Sequence, residues 1–167
     1  MTELWQSRVQ ALEQAFSHIA DTRMRDVPMQ NMALRVQAVG FEPHVDQAGE
    51  ALLGVLVTPW FMNLVRLPYK AASPGAVLLP VGQNAKRKVG HETFDFIGAH
   101  EESLGAFEVC SLFSPMFEFA DHAGAVATAH EVLTLLHAPV QEPPIAARAV
   151  PSRRGFLFGR SARRSGA

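Results

Sequence analysis

The chain has 167 residues, 48% of them hydrophobic, which suits one domain with a core of its own. Its single cysteine excludes an internal disulfide and any paired-cysteine zinc or rubredoxin-type site, and fits a reducing compartment. The net charge of −1 hides an asymmetry: from Arg148 onward there are six arginines and no acid, while the rest holds nine basic and sixteen acidic residues, and an acidic body argues against nucleic acid as a partner.

Thr2 can cap a helix over residues 3–24. Trp5, Val9, Leu12, Phe16 and Ile19 recur at alternating four- and three-residue spacing, which makes one apolar face. Residues 23–30 carry charge and Pro28 and read as a connector. Alternation predicts a short strand over 34–40, and a second, polar strand over 41–47. Residues 50–58 are aliphatic enough to be a strand buried on both faces, and Pro59, without an N–H, ends it. A turn at 60–63 leads into a returning strand at 64–67. Residues 68–89 read as a loop, with the basic Lys86-Arg87-Lys88 and a short apolar piece at 76–81. A second hairpin pairs 93–97 with 104–113 around a turn at 100–103. Asp121 caps a last helix to about His137, with Val126, Ala129, Leu133 and Leu136 inward.

The prolines at 139, 143, 144 and 151 favour an extended linker. The expected organisation is one domain over 1–138, then a Pro-rich linker and Arg-rich tail over 139–167. The expected fold class is α+β: a mostly antiparallel sheet flanked by an N-terminal and a C-terminal helix, with an extended basic tail. The first residues lack the basic start and apolar block of a secretory signal. The apolar runs near 52–57 and 61–67 are too short to cross a bilayer. A cytoplasmic protein without stable membrane insertion is therefore expected.

The chain carries no nucleophile elbow, P-loop or dinucleotide fingerprint. His130 and His137 share a helix face at a spacing of seven, whereas ligation from one helix favours three or four. These imidazoles and His122 read as surface or half-buried side chains, and Cys110 as a small apolar residue of a strand. No catalytic residue, metal ligand or cofactor is expected. The rival is a small-molecule or metal-cluster-binding module, which an apolar pocket between sheet and first helix, with convergent His91 and His100, would favour.

Two segments share a pattern. Val57-Thr58-Pro59-Trp60-Phe61-Met62 and Phe113-Ser114-Pro115-Met116-Phe117-Glu118 both run strand, hydroxyl residue, proline, then large apolar side chains. Trp60, Phe61, Met62, Met116 and Phe117 either roof the core or offer adaptable contacts to a partner. Near the end, Ser152-Arg153-Arg154-Gly155-Phe156-Leu157-Phe158 matches the S-R-R-x-F-L signature of a twin-arginine export signal, at the wrong terminus for one. Arg153, Arg154, Phe156 and Phe158 join the candidate partner-binding residues.

Three blocks occur together and in order: Leu53-Gly54-Val55-Leu56-Val57-Thr58-Pro59-Trp60-Phe61-Met62, Cys110-Ser111-Leu112-Phe113-Ser114-Pro115-Met116, and Arg153-Arg154-Gly155-Phe156-Leu157-Phe158-Gly159-Arg160. With them the chain closely resembles the HybE/HupJ/HoxT family of nickel–iron hydrogenase assembly chaperones, over most of its length. Some members carry a fused rubredoxin domain; the single cysteine here shows none. The resemblance implies a non-enzymatic maturation factor in the cytoplasm. Its partners would be the hydrogenase small and/or large subunit, including the small-subunit precursor with its twin-arginine signal peptide. The tail string suggests mimicry of that signal.

Overall fold

In the computed structural model the described residues are 2–46, 49–69 and 78–137. Eight elements follow in order: α1 (Thr2–Asp21), β1 (Gln37–Asp46), β2 (Gly49–Val57), β3 (Met62–Leu67), β4 (Asn84–Val89), β5 (Glu92–Glu101), β6 (Gly105–Phe113) and α2 (His122–His137). The strands form one antiparallel sheet in the order β1-β2-β3-β6-β5-β4, so the expected α+β class holds.

A helix covers each face of the sheet. Leu12, Phe16 and Ile19 of α1 pack with Leu52, Leu56, Val65, Leu67 and Phe107. Ala125, Ala129, Val132, Leu133 and Leu136 of α2 pack with Leu53, Val55, Leu64, Phe94, Phe96 and Cys110. The alternation of pleat direction sends Leu52 and Leu53 to opposite cores, which is why β2 is apolar at every position from Ala51 to Val57 save Gly54. Each buried leucine or phenylalanine contributes roughly 1.5–3 kcal/mol. The apolar stripe of α1 runs as its spacing predicts, and the Asp121 carboxylate accepts the Gly124 N–H at 2.8 Å to cap α2.

Two expectations change. The strands predicted at 34–40 and 41–47 are one strand, β1, carried through Gly40 by a bulge in its pairing with β2. Gly40 sits at φ +65°, where glycine alone is unstrained, so a residue that looks like a strand end is a bend. Residues 84–89, expected as loop, form the edge strand β4. Its lysines face solvent while Arg87 turns inward, so a half-polar strand reads as a loop.

The sheet curls until its edge strands β1 and β4 approach within 8 Å between Cα atoms without pairing. Near that seam the interior is charged. Arg66, 1% exposed, reaches Asp46 at 3.2 Å and Glu108 at 3.5 Å. Fully buried Glu108 also binds Arg87 at 2.8 and 3.0 Å and accepts the Leu79 N–H at 2.9 Å. The bonds to Glu108 raise the Arg87 pKa against the effect of burial. Arg66 and Glu108 are direct cross-strand partners, so their pairing compensates two charges inside a sheet. Among the described residues no helix is long and apolar enough to cross a membrane.

Candidate functional site

The two look-alike segments lie at the same end of the sheet. Antiparallel pairing of β3 with β6 sets Met62 opposite Phe113, so the turn before β3 and the chain after β6 emerge side by side. Thr58, fully buried, organises the first. Its hydroxyl accepts the N–H groups of Trp60 at 3.2 Å and Phe61 at 2.9 Å and donates to the Phe61 carbonyl at 3.1 Å. In the second, the Ser114–Pro115 peptide is cis, and the Phe119 N–H returns to the Met116 carbonyl at 3.2 Å.

Asn31 ties the two together from the loop after α1. Its backbone N–H donates to the Pro59 carbonyl at 2.8 Å. Its side-chain amide donates to the carbonyls of Met116 at 2.9 Å and Phe119 at 2.8 Å, and its amide oxygen accepts the Ala33 N–H. One residue thus meets the backbone of both segments. His122 braces the neighbouring strand: Nδ1 accepts the Arg35 N–H at 3.2 Å, so Nε2 carries the proton and donates to Gln37 Oε1 at 2.9 Å. Burial, with the Arg35 charge adding to it, lowers the His122 pKa.

The expected contact residues divide. Met62 and Met116 are fully buried in the core beneath α2, so neither reaches the surface, and the roofing alternative describes them correctly. Trp60 and Phe61 are half-buried. Their rings meet edge to face at 5.4 Å, and Phe61 leans on Phe16 of α1 at 5.8 Å. Phe117 is 56% exposed. Arg153, Arg154, Phe156 and Phe158 lie outside the described residues. Two side chains not anticipated join the surface: Met29 and Met32, 49% and 80% exposed, flank Asn31. A pair of methionines in a polar connector was the available signal, since large flexible apolar residues there have no core to fill. Met29, Met32 and Phe117 are thus three exposed apolar side chains on segments that Asn31 joins by hydrogen bonds, while Trp60 and Phe61 pack toward α1. Exposed methionine and phenylalanine side chains suit apolar contacts with another protein, and Glu118 beside Phe117 adds an exposed carboxylate.

The residues weighed for other chemistry are separated or occupied. His91 and His100 stand at opposite ends of β5, and the groove between α1 and the β5–β6 turn is lined by residues such as Ala15, His18, Ile19, Arg23 and Glu101, with neither histidine among them. His122 is buried rather than at the surface, and its ring serves the backbone. Cys110 is 2% exposed, as a small core residue would be. No group of three or more metal-ligating side chains occurs among the described residues.

A family model described as NiFe-hydrogenase assembly chaperone HybE matches residues 7–159. The chain is 51% identical over 159 residues to the protein HoxT of Cupriavidus necator, covering 92% of this chain and 89% of that one. It is 36% identical over 157 residues to the hydrogenase expression/formation protein HupJ of Bradyrhizobium diazoefficiens, covering 91% and 88%. The fold matches the solution structure of HybE from Escherichia coli with a TM-score of 0.60 at 20% identity, over 86% of this chain and 87% of that one. A family match over nearly the whole chain, with relatives 51% and 36% identical over about nine-tenths of each chain, leads to one statement: the chain belongs to the HybE family of nickel–iron hydrogenase assembly chaperones.

Proposed function

We propose that this chaperone is a non-enzymatic, cytoplasmic binding protein for hydrogenase subunits, and that it holds the small-subunit precursor by its twin-arginine signal before assembly and export. The observation that carries the reading is the exposure of Met29, Met32 and Phe117 on segments that Asn31 ties together. Thioether and aromatic side chains accept the apolar part of a signal without demanding one shape. Trp60 and Phe61 form the base of the contact, and Met62 and Met116 support it from within the core. Arg153, Arg154, Phe156 and Phe158 of the tail repeat the chemistry of the signal, so the tail competes for the same face and raises the threshold for weak ligands.

Calorimetric titration with a small-subunit signal peptide tests this, beside a peptide whose twin arginines are lysines. The arginine peptide binds more tightly, because guanidinium groups engage carboxylates bidentately and ammonium groups do not. Removing residues 152–167 tightens binding further. Equal affinity for the two peptides sinks the signal-recognition reading. Unchanged or lost affinity after the truncation sinks the competition.

A further inference from the structure

The seam between β1 and β4 opens into a cleft of about 420 Å³, within the range of small-molecule sites, roughly 300–1,000 Å³. His44, Val45, Asp46, Lys86, Lys88 and Thr93 line it among others. Asp46 pairs with Gly49 at one end of β2, and Met62 pairs with Val57 at the other, so the cleft lies at the far end of the sheet from the turn at 58–61. β1 and β4 come within 8 Å between Cα atoms. That is too close for a strand lying about 4.8 Å from each, so the occupant of the seam must be a small molecule rather than a chain segment.

Most of the charge at the cleft is already engaged. The Asp46 carboxylate accepts two hydrogen bonds from Arg66, at 3.2 and 3.4 Å. Arg87 turns Nε and Nη2 to Glu108, at 3.0 and 2.8 Å. Lys86 sits opposite Asp95 and meets it at 2.9 Å. Lys88 differs: its cross-strand neighbour is Thr93, and it forms no ion pair among the described residues. The cations Arg66, Lys86, Arg87 and Lys88 thus exceed the carboxylates Asp46, Asp95 and Glu108 by one, and the surplus charge is that of Lys88. On the β1 wall, the buried Nε2 of His44 has no hydrogen-bond partner and stands 3.8 Å from the Asp46 carboxylate. A buried polar atom without a partner is costly, and an occupant of the cleft would supply one.

We propose that the seam cleft is a binding site for a small organic phosphate. The Lys88 ammonium, the Thr93 hydroxyl and His44 Nε2 with its proton are three single-point donors on one space. Planar carboxylates are best held by the fork of an arginine, and the fork of Arg87 is taken by Glu108. Separate donors around a point charge suit a tetrahedral oxyanion with several acceptor oxygens instead. Val45, 71% exposed at the same cleft, gives the carbon part of the ligand an apolar wall. The site is independent of Met29, Met32 and Phe117 and selects the opposite charge to that of a twin-arginine signal.

The test titrates the full chain calorimetrically with glucose 6-phosphate, inorganic phosphate, glucose and glucuronate, the last with a carboxylate at the position of the phosphate ester. Glucose 6-phosphate binds, inorganic phosphate binds more weakly, glucuronate binds at least about tenfold more weakly than glucose 6-phosphate, and glucose does not bind. Lys88→Gln weakens glucose 6-phosphate binding roughly tenfold without altering the thermal melt of the free protein or its affinity for the signal peptide. His44→Phe weakens binding too, yet does not lower the melt of the free protein, because Nε2 has no hydrogen bond there to lose. Absence of binding by both phosphates overturns the site. Glucuronate as tight as glucose 6-phosphate overturns the selection for phosphate, and inorganic phosphate as tight overturns the role of the carbon part. Unchanged affinity in Lys88→Gln, or loss of signal-peptide binding with it, overturns a separate site in the seam. A lower melt of free His44→Phe with unchanged phosphate affinity overturns the part given to His44.

Discussion

The turn at residues 58–61 and the segment at 114–119 begin alike and end differently. Each leaves a strand at a hydroxyl residue and a proline, and each buries a methionine fully, Met62 in one and Met116 in the other. The first turn folds its aromatic rings back: Phe61 leans on α1, and Trp60 leans on Phe61. The second folds one ring back, Phe119 against Phe113 at 5.2 Å, and leaves the other, Phe117, 56% exposed. The same pattern thus gives a closed roof in one place and an exposed ring in the other. What decides is the neighbour: α1 packs on the side of the sheet where Trp60 and Phe61 fall, whereas Phe117 keeps more than half of its surface in water.

Truncating the two buried methionines is the strongest way to test the shared half of the comparison. Met62→Ala and Met116→Ala should each cost about 2–5 kcal/mol of unfolding free energy, since each leaves a cavity in the core beneath α2. Urea denaturation followed by circular dichroism reads both. A loss under 1 kcal/mol for either would mean that its side chain is not packed as described. Asn31→Ala comes next, at about 2–3 kcal/mol, because two carbonyls of the second segment lose their donor together. The first turn keeps its own Thr58 network, so hydrogen exchange should quicken around 116–119 and much less around 58–61. Equal quickening in both would show that the frame is one unit rather than two units tied by Asn31.

A smaller effect follows from pH. His122 titrates below its ordinary value of 6.5 in the folded protein. The unfolded chain therefore takes up its proton first as pH falls. The stability is whole above 6.5 and declines as pH drops from 6.5 toward and through the lowered folded value. Protonation also ends acceptance of the Arg35 N–H by Nδ1. Chemical denaturation across that window should show a decline that His122→Gln flattens. An identical decline in the variant would assign the effect to other groups.

The elements legible in the sequence are those with one strong period. The α1 stripe and the apolar β2 follow from spacing and composition, and the Asp121 cap from its place before an apolar run. The seam was not legible, because β4 hides an inward arginine between outward lysines and Arg66 and Glu108 acquire their meaning only once β3 and β6 are paired. The exposed apolar side chains were half legible for a related reason. Proline, a hydroxyl residue and large apolar side chains signal a turn that leaves a sheet; they do not say which face is already covered. The loop that carries Met29 and Met32 is tied to the second segment through Asn31, whose bonds span 85 and 88 positions of the chain.

Phe117 separates contact from packing most sharply, because its effect on folding should be the smallest of all. With 56% of its surface in water it contributes little to the core, so Phe117→Ala should move the unfolding free energy by less than about 0.5 kcal/mol. On the proposed reading it is an anchor of the partner contact, and the same change should weaken signal-peptide binding about tenfold or more. Phe61→Ala should show the reverse weighting, with a loss of about 3 kcal/mol in stability from its packing against Phe16. Measuring stability and affinity for both variants turns the contrast between the two segments into four numbers. If Phe117→Ala leaves affinity intact, the exposed ring is not the contact, and binding must be sought on the Met29 and Met32 side of Asn31.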